Sequence, residues 1–128
     1  MGKQITVITG NIGSGKTTLA KELIKEYQTN FSQNKVFSCG SLTSERIKIH
    51  TLDDYEIKDF DITKQQDFLL VVDGVMPTKA LYKLIEKISS YEGNQTINLI
   101  YTNHQQLKKM NHLPNLQKNT IEHINLDE

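Results

Sequence analysis

The sequence predicts an α/β fold in three layers, with helices on both faces of a mainly parallel sheet of about five strands. Three observations support that expectation. Short apolar runs alternate with longer amphipathic stretches along the chain, the order that gives a covered parallel sheet. One run, Phe68-Leu69-Leu70-Val71-Val72, is continuously apolar, as a strand buried on both faces must be. A glycine-rich segment, Gly10 to Gly15, separates the first apolar run from the first amphipathic stretch, where a strand has to turn into a helix. At 128 residues the chain is long enough to bury one core, and a single domain, 1–128, is expected.

Each element follows in order. Gln4 to Thr9, with Ile5, Val7 and Ile8, reads as a buried strand. From Thr17 to about Tyr27, Leu19, Ala20, Leu23, Ile24 and Tyr27 share one helical stripe, with Lys21, Glu22, Lys25 and Glu26 opposite. Asn30 to Asn34 is a polar break, and Lys35 to Cys39 a second strand. Ser44 is placed to cap a short helix over Glu45 to His50. The acidic stretch Thr51 to Asp67 is weakly periodic and reads as loop, as a short edge strand around Tyr55 to Ile57, or as both. The Phe68–Val72 strand stops at Asp73-Gly74. A helix over about Pro77 to Tyr91 follows, its inner stripe Ala80, Leu81, Leu84, Ile85 and Ile88, with Pro77 suited to its start and Gly93 to its end. Thr96 to Thr102 is a further strand, the segment from Asn103 is polar, and Ile121 to Leu126 is a candidate last strand.

Composition narrows the function classes. Fifteen basic and fifteen acidic residues cancel, which argues against a surface dedicated to coating nucleic acid, although a local basic patch escapes such a count. Fourteen of the basic residues are lysine and Arg46 is the only arginine. Cys39 is the only cysteine, so no intramolecular disulfide forms, and at the end of an apolar run it reads as a buried, inert thiol. No apolar run approaches the roughly 18 residues of a membrane span. The opening residues lead straight into a strand, so neither a leader nor lipidation at Gly2 is expected, and a cytoplasmic location is.

The chemistry concentrates at Gly10-Asn11-Ile12-Gly13-Ser14-Gly15-Lys16-Thr17, which matches G-x-x-x-x-G-K-[ST] in full between a predicted strand and a predicted helix. Glycines at 10, 13 and 15 let the backbone curl so that successive N–H groups face phosphate oxygens, and the helix that follows, through Thr18, adds its dipole. Lys16 would reach the β- and γ-phosphates, and the Thr17 hydroxyl would ligate Mg²⁺. A glycine-rich turn that merely precedes a helix is the ordinary alternative, and motif and context together argue against it. Asp73, a carboxylate at the end of a buried strand, fits the second magnesium-holding role; alone it would read as a turn cap. Triphosphate hydrolysis also needs a group that orients water. Position 74, where many ATPases carry glutamate, is glycine. Glu45 is the next candidate, and a surface glutamate is its ordinary reading. Asn103 and His104 follow a core strand and should sit near the phosphates, where either could sense the γ-phosphate; a polar cap on the next segment is the ordinary reading. Lys79 and Arg46 are the remaining cations with reach. His50, His112 and His123 share no metal-like spacing.

On these residues the chain resembles a P-loop NTPase over nearly its whole length. Val71-Val72-Asp73-Gly74-Val75, and the Ile97–Thr102 strand followed by Asn103-His104-Gln105, look like the corresponding segments of RecA-type and replicative-helicase ATPases. Val36-Phe37-Ser38-Cys39-Gly40 and Glu45-Arg46-Ile47-Lys48 are similar to their second strand and helix, although Ser41-Leu42 stand where that group usually carries its catalytic glutamate. Gly10 to Thr18 also looks like the phosphate loop of deoxynucleoside kinases, but a single arginine and so short a chain leave little room for a lid and an acceptor pocket.

The resemblance implies ATP and Mg²⁺ as cofactors and a homo-oligomer or larger protein partner. It also points, by analogy only, to a nucleic-acid or assembly process and to no membrane. Three readings stand: a minimal ATPase, a non-hydrolysing nucleotide-dependent regulatory subunit, and a small nucleoside or nucleotide kinase. No guanine-specific N-K-x-D motif is present.

Overall fold

A computed structural model of the chain describes residues 3–31, 35–40, 42, 48–73 and 78–127. Among these residues six strands form one sheet in which every pairing is parallel: β1 (Lys3–Thr9), β2 (Lys35–Gly40), β3 (Ile49–Thr51), β4 (Phe68–Asp73), β5 (Ile97–Asn103) and β6 (Glu122–Asn125). Their order is β3-β2-β4-β5-β1-β6. The expected sheet of about five strands therefore gains a sixth, the three-residue edge strand β3. The strand that ends at Asp73 does not neighbour the first strand; β5 lies between them.

Among the described residues four α-helices cover the sheet: α1 (Lys16–Asn30), α2 (Asp54–Asp59), α3 (Lys79–Ser89) and α4 (Pro114–Asn119). Side chains alternate along each strand, and two cores result. Leu69 and Val71 of β4 pack with Ile8, Ile100 and the α1 residues Ala20, Ile24 and Tyr27. Phe68, Leu70 and Val72 point the other way, into a larger core with Leu81, Leu84, Ile85 and Ile88 of α3, Ile57 of α2 and Leu116 of α4. All six residues of β4 are buried, which accounts for its unbroken apolar run.

Several sequence expectations are corrected. Ile49–Thr51 is strand where the short helix over Glu45 to His50 was expected, and residues 43–47 of that stretch lie outside the described residues. The expected edge strand around Tyr55 to Ile57 is instead helix α2. Asp53 Oδ1 accepts from the Glu56 amide at 2.8 Å while Glu56 Oε1 accepts from the Asp53 amide at 3.3 Å, a capping box that starts a helix. Helix α3 starts after an N-cap at Thr78; Pro77 lies outside the described residues. The polar segment after Asn103 holds a short 3₁₀ turn, Leu107–Lys109, and helix α4, which has Pro114 in its first turn and receives the Glu86 carboxylate on the amides of Asn115 (3.2 Å) and Leu116 (3.0 Å).

Candidate functional site

Because all strands are parallel, their C-terminal ends share one edge of the sheet, and those of β4, β5 and β1 lie side by side there. The turn out of β1 needs two glycines for conformation: Gly13 at φ 84° and Gly15 at φ 99° occupy left-handed backbone. Gly10 is required for space rather than for φ. A Cβ at Gly10 would stand 2.4 Å from Ser14 Oγ and 3.2 Å from Leu126 Cβ. Helix α1 begins at Lys16 with Gly15 as its N-cap residue, so its first amides have no side-chain cap and face the loop. The Lys16 ammonium donates to the carbonyls of Gly10 (2.7 Å) and Asn11 (2.8 Å) and so spans the loop. Ile12 is 97% exposed at its tip.

Below the loop a carboxylate joins three elements. Asp73, 6% exposed at the end of β4, accepts from the Thr17 hydroxyl at 2.9 Å through Oδ2 and from the Thr102 hydroxyl at 2.6 Å through Oδ1. Thr17 and Asp73 are 56 positions apart in sequence. Strand pleat explains the geometry: Leu69 and Val71 face α1, so Asp73, two and four positions on, faces α1 as well. By the same period Ile100 faces α1 and brings Thr102 with it. Both oxygens of a buried carboxylate are thus held by hydroxyls, as burial of such a group demands.

The sequence-predicted residues divide accordingly. Gly10, Asn11, Ile12, Gly13, Ser14, Gly15, Lys16, Thr17 and Thr18 form the loop and the first turn of α1, and Thr17 and Asp73 meet. Asn103 reaches the loop through its backbone, its carbonyl accepting from the Gly10 amide at 3.2 Å. Its side chain has the parity of Leu99 and Tyr101, away from α1, so the side chain that β5 directs at Asp73 is that of Thr102. Glu45 and Arg46 lie outside the described residues. Gly40 (φ 124°), the last residue of β2, lies directly opposite Asp73 in the sheet register. His104 is exposed, and Lys79 opens α3.

Four contacts were not anticipated from the sequence. Thr102 was seen only as a strand end, and the pleat counted from Ile100 is the signal that singles it out. The segment after β6 braces the loop: Asp127 Oδ1 accepts from the Asn11 amide at 3.1 Å and the Leu126 amide donates to the Thr9 carbonyl at 2.8 Å. His123 Nε2 lies 2.8 Å from Thr9 Oγ1. The other two histidines that the sequence sets apart lie elsewhere, His50 beside Glu56 at 2.9 Å and His112 edge-on to Tyr82. Burial pushes the Cys39 thiol up to about 12, in keeping with an inert core residue.

The donor set suits a magnesium triphosphate. A hydroxyl and a carboxylate side by side are hard oxygen donors of the kind Mg²⁺ takes, and a cation on a curled glycine loop at a helix start faces where phosphates would lie. Ser14 Oγ, inside the loop, is buried with no hydrogen-bond partner among the described residues.

A family model described as "AAA domain" matches residues 2–127. No curated protein matches the chain. Among solved structures, homoserine dehydrogenase of S. aureus is similar at 15% identity with a TM-score of 0.36, a likeness too distant to bear on fold or function. That match covers 96% of this chain and 32% of the other, so the chain spans about a third of that protein's length.

Proposed function

We propose, from the premise that the chain belongs to the AAA domain family and so to the P-loop ATPases, that it binds MgATP at Gly10–Thr18 and hydrolyses it. The observation behind this reading is the Thr17–Asp73 hydrogen bond, which joins the loop to the end of β4. In this proposal Lys16 exchanges the Gly10 and Asn11 carbonyls for the β- and γ-phosphates. Thr17 and Asp73 hold Mg²⁺, which when bound offsets charge on the phosphate oxygens. Thr102 fixes the Asp73 carboxylate from behind. Asn103, whose carbonyl accepts from the Gly10 amide, would register the γ-phosphate through the loop backbone rather than with its side chain, and Glu45 is the candidate to orient water. The work driven is an assembly or nucleic-acid process, carried out as a homo-oligomer or with a larger protein partner in the cytoplasm. That last step rests on family analogy.

Glycine at 74 in place of glutamate favours a second reading, a nucleotide-dependent switch that binds without turnover. ADP release from MgATP by wild type and Lys16→Ala, with and without single-stranded DNA, separates the two. Lys16-dependent release supports hydrolysis, and intact binding with no release supports the switch. Lys16→Ala removes two charge-assisted bonds to phosphate, about 3 kcal/mol or a hundredfold in Kd, with little effect on the fold. Unchanged ATP affinity in that variant refutes the site. Release that requires an added nucleoside would instead make the chain a kinase.

A further inference from the structure

The sheet face opposite α1 carries a groove of about 860 Å³ between α2 and α3. Its floor is apolar, formed by Ile57, Phe60, Ala80 and Leu84. Its walls are basic. Lys79, Lys83 and Lys87 recur every four residues along α3 and so form one slowly winding row about 12 Å long, and Lys58 faces them from α2. All four are exposed, and none takes part in an ion pair among the described residues, where the single such pair is His50–Glu56. The one acidic residue lining the groove, Glu86, is committed to the Asn115 and Leu116 amides. The other acids of this region, Glu56, Asp59 and Asp61, line a separate hollow beyond α2. Lys87 is only a minor influence on Asp61, whose carboxyl is held below its ordinary range chiefly by hydrogen bonds from Thr63.

A lysine row on a helix is ordinarily a solvated face, with its aliphatic stems lying over whatever is beneath. Here the row flanks an apolar floor, and a chain of zero net charge has gathered four cations around it. We infer that the groove binds an amphipathic helix of a partner protein whose apolar stripe is flanked by glutamate or aspartate. Such a helix covers the floor with its stripe and sets its acids against both lysine walls. A nucleic-acid strand would meet the lysines with phosphates and leave the floor wet. The inference does not depend on the nucleotide reading, since none of these residues belongs to the loop or touches Asp73.

The probe is a fluorescein-labelled peptide of about three turns, with leucines at helical spacing and glutamates beside them, followed by fluorescence anisotropy. Saturable binding is expected. Lys79→Glu/Lys83→Glu should weaken it about tenfold, and rising salt should weaken it too. Ala80→Glu, which puts bulk and charge on the floor, should weaken it similarly. Circular dichroism should show all variants folded, because the lysines are exposed and Ala80 is only partly buried. Lys16→Ala should bind the peptide as wild type does. No saturable binding by the wild type overturns the inference. So does equal binding of a peptide with serines for the leucines, tighter lysine-dependent binding of single-stranded DNA, or occupation of the groove by a second copy of the chain.

Discussion

Thr102→Val isolates the least expected feature of the site. Valine keeps the shape and the β-branch that β5 favours and removes only the hydroxyl. In the wild type that hydroxyl lies 2.6 Å from Asp73 Oδ1; its other neighbour, the Val72 carbonyl at 3.5 Å, is too far to contribute. A hydrogen bond to a charged group contributes about 1.5–3 kcal/mol, and the added methyl recovers about 0.8 kcal/mol by burial, so a net loss of about 1.5 kcal/mol is expected. For 128 residues at about 2.1 cal/mol/K each, the unfolding entropy is about 0.27 kcal/mol/K, and the melting temperature should fall by about 5–6 °C. Thr102→Ser, which retains the hydroxyl, should lose less than half of this. In calorimetric titration with MgATP the valine variant should also bind more weakly, because Asp73 is then held only by Thr17. A melting temperature within about 1 °C of wild type, with unchanged MgATP affinity, would refute the claim that Thr102 positions Asp73.

Other outcomes follow from the same structure. Gly15→Ala meets no atom within 4 Å yet must hold φ 99°, so thermal melts should show a loss of about 1–2 kcal/mol from backbone conformation alone. Gly10→Ala fails for the opposite reason, collision with Ser14 and Leu126, and a smaller partner at position 14 should rescue it in the same melts. Asp53→Ala removes the N-cap of α2 and should cost about 1 kcal/mol in urea unfolding, with Asp53→Asn close to wild type. Burial, and secondarily Tyr82, raises the Tyr101 hydroxyl from 10.0 to about 12. The folded state then holds the proton that the unfolded state gives up, so this contribution is intact below pH 10 and is lost at about 1.4 kcal/mol per unit above it. Tyr101→Phe should flatten that alkaline limb in denaturant titrations.

Much of this was legible in the sequence because the determining signals are local. The phosphate loop is one contiguous motif, and β4 announces itself as six apolar or terminal positions buried on both faces. Helix α2 was legible too, since Asp53 and Glu56 have capping-box spacing, but the apolar pair Tyr55 and Ile57 imitates strand alternation. Tyr55 is in fact 82% exposed, so one of the two residues behind the strand reading has no core contact. Strand β3 escapes because three residues hold no period, and its pairing with β2 comes from the register Val36–Ile49. Strand order escapes for a deeper reason: parallel pairing is non-local, and nothing near Asp73 in sequence reveals that β5 separates it from β1. Thr102 escapes because it stands one residue before Asn103, and in a strand one residue exchanges the faces.

Topology supplies the reason that the loop and the lysine groove occupy different faces. Crossovers between parallel strands are right-handed, so moves toward the β3 edge must run over one face and moves toward the β6 edge over the other. From β1 to β2 the chain moves toward β3, carrying α1. From β3 to β4, β4 to β5 and β5 to β6 it moves back, carrying α2, α3 and α4 over the opposite face, and the two cores divide in just this way. Neighbouring strands β2 and β4 are thus followed in the sequence by strands on opposite sides of them, β3 and β5, and Gly40 stands opposite Asp73 where the direction reverses. Helix α3 stands at the junction of both features. It begins a few residues after Asp73, and along its length it supplies three of the four groove lysines.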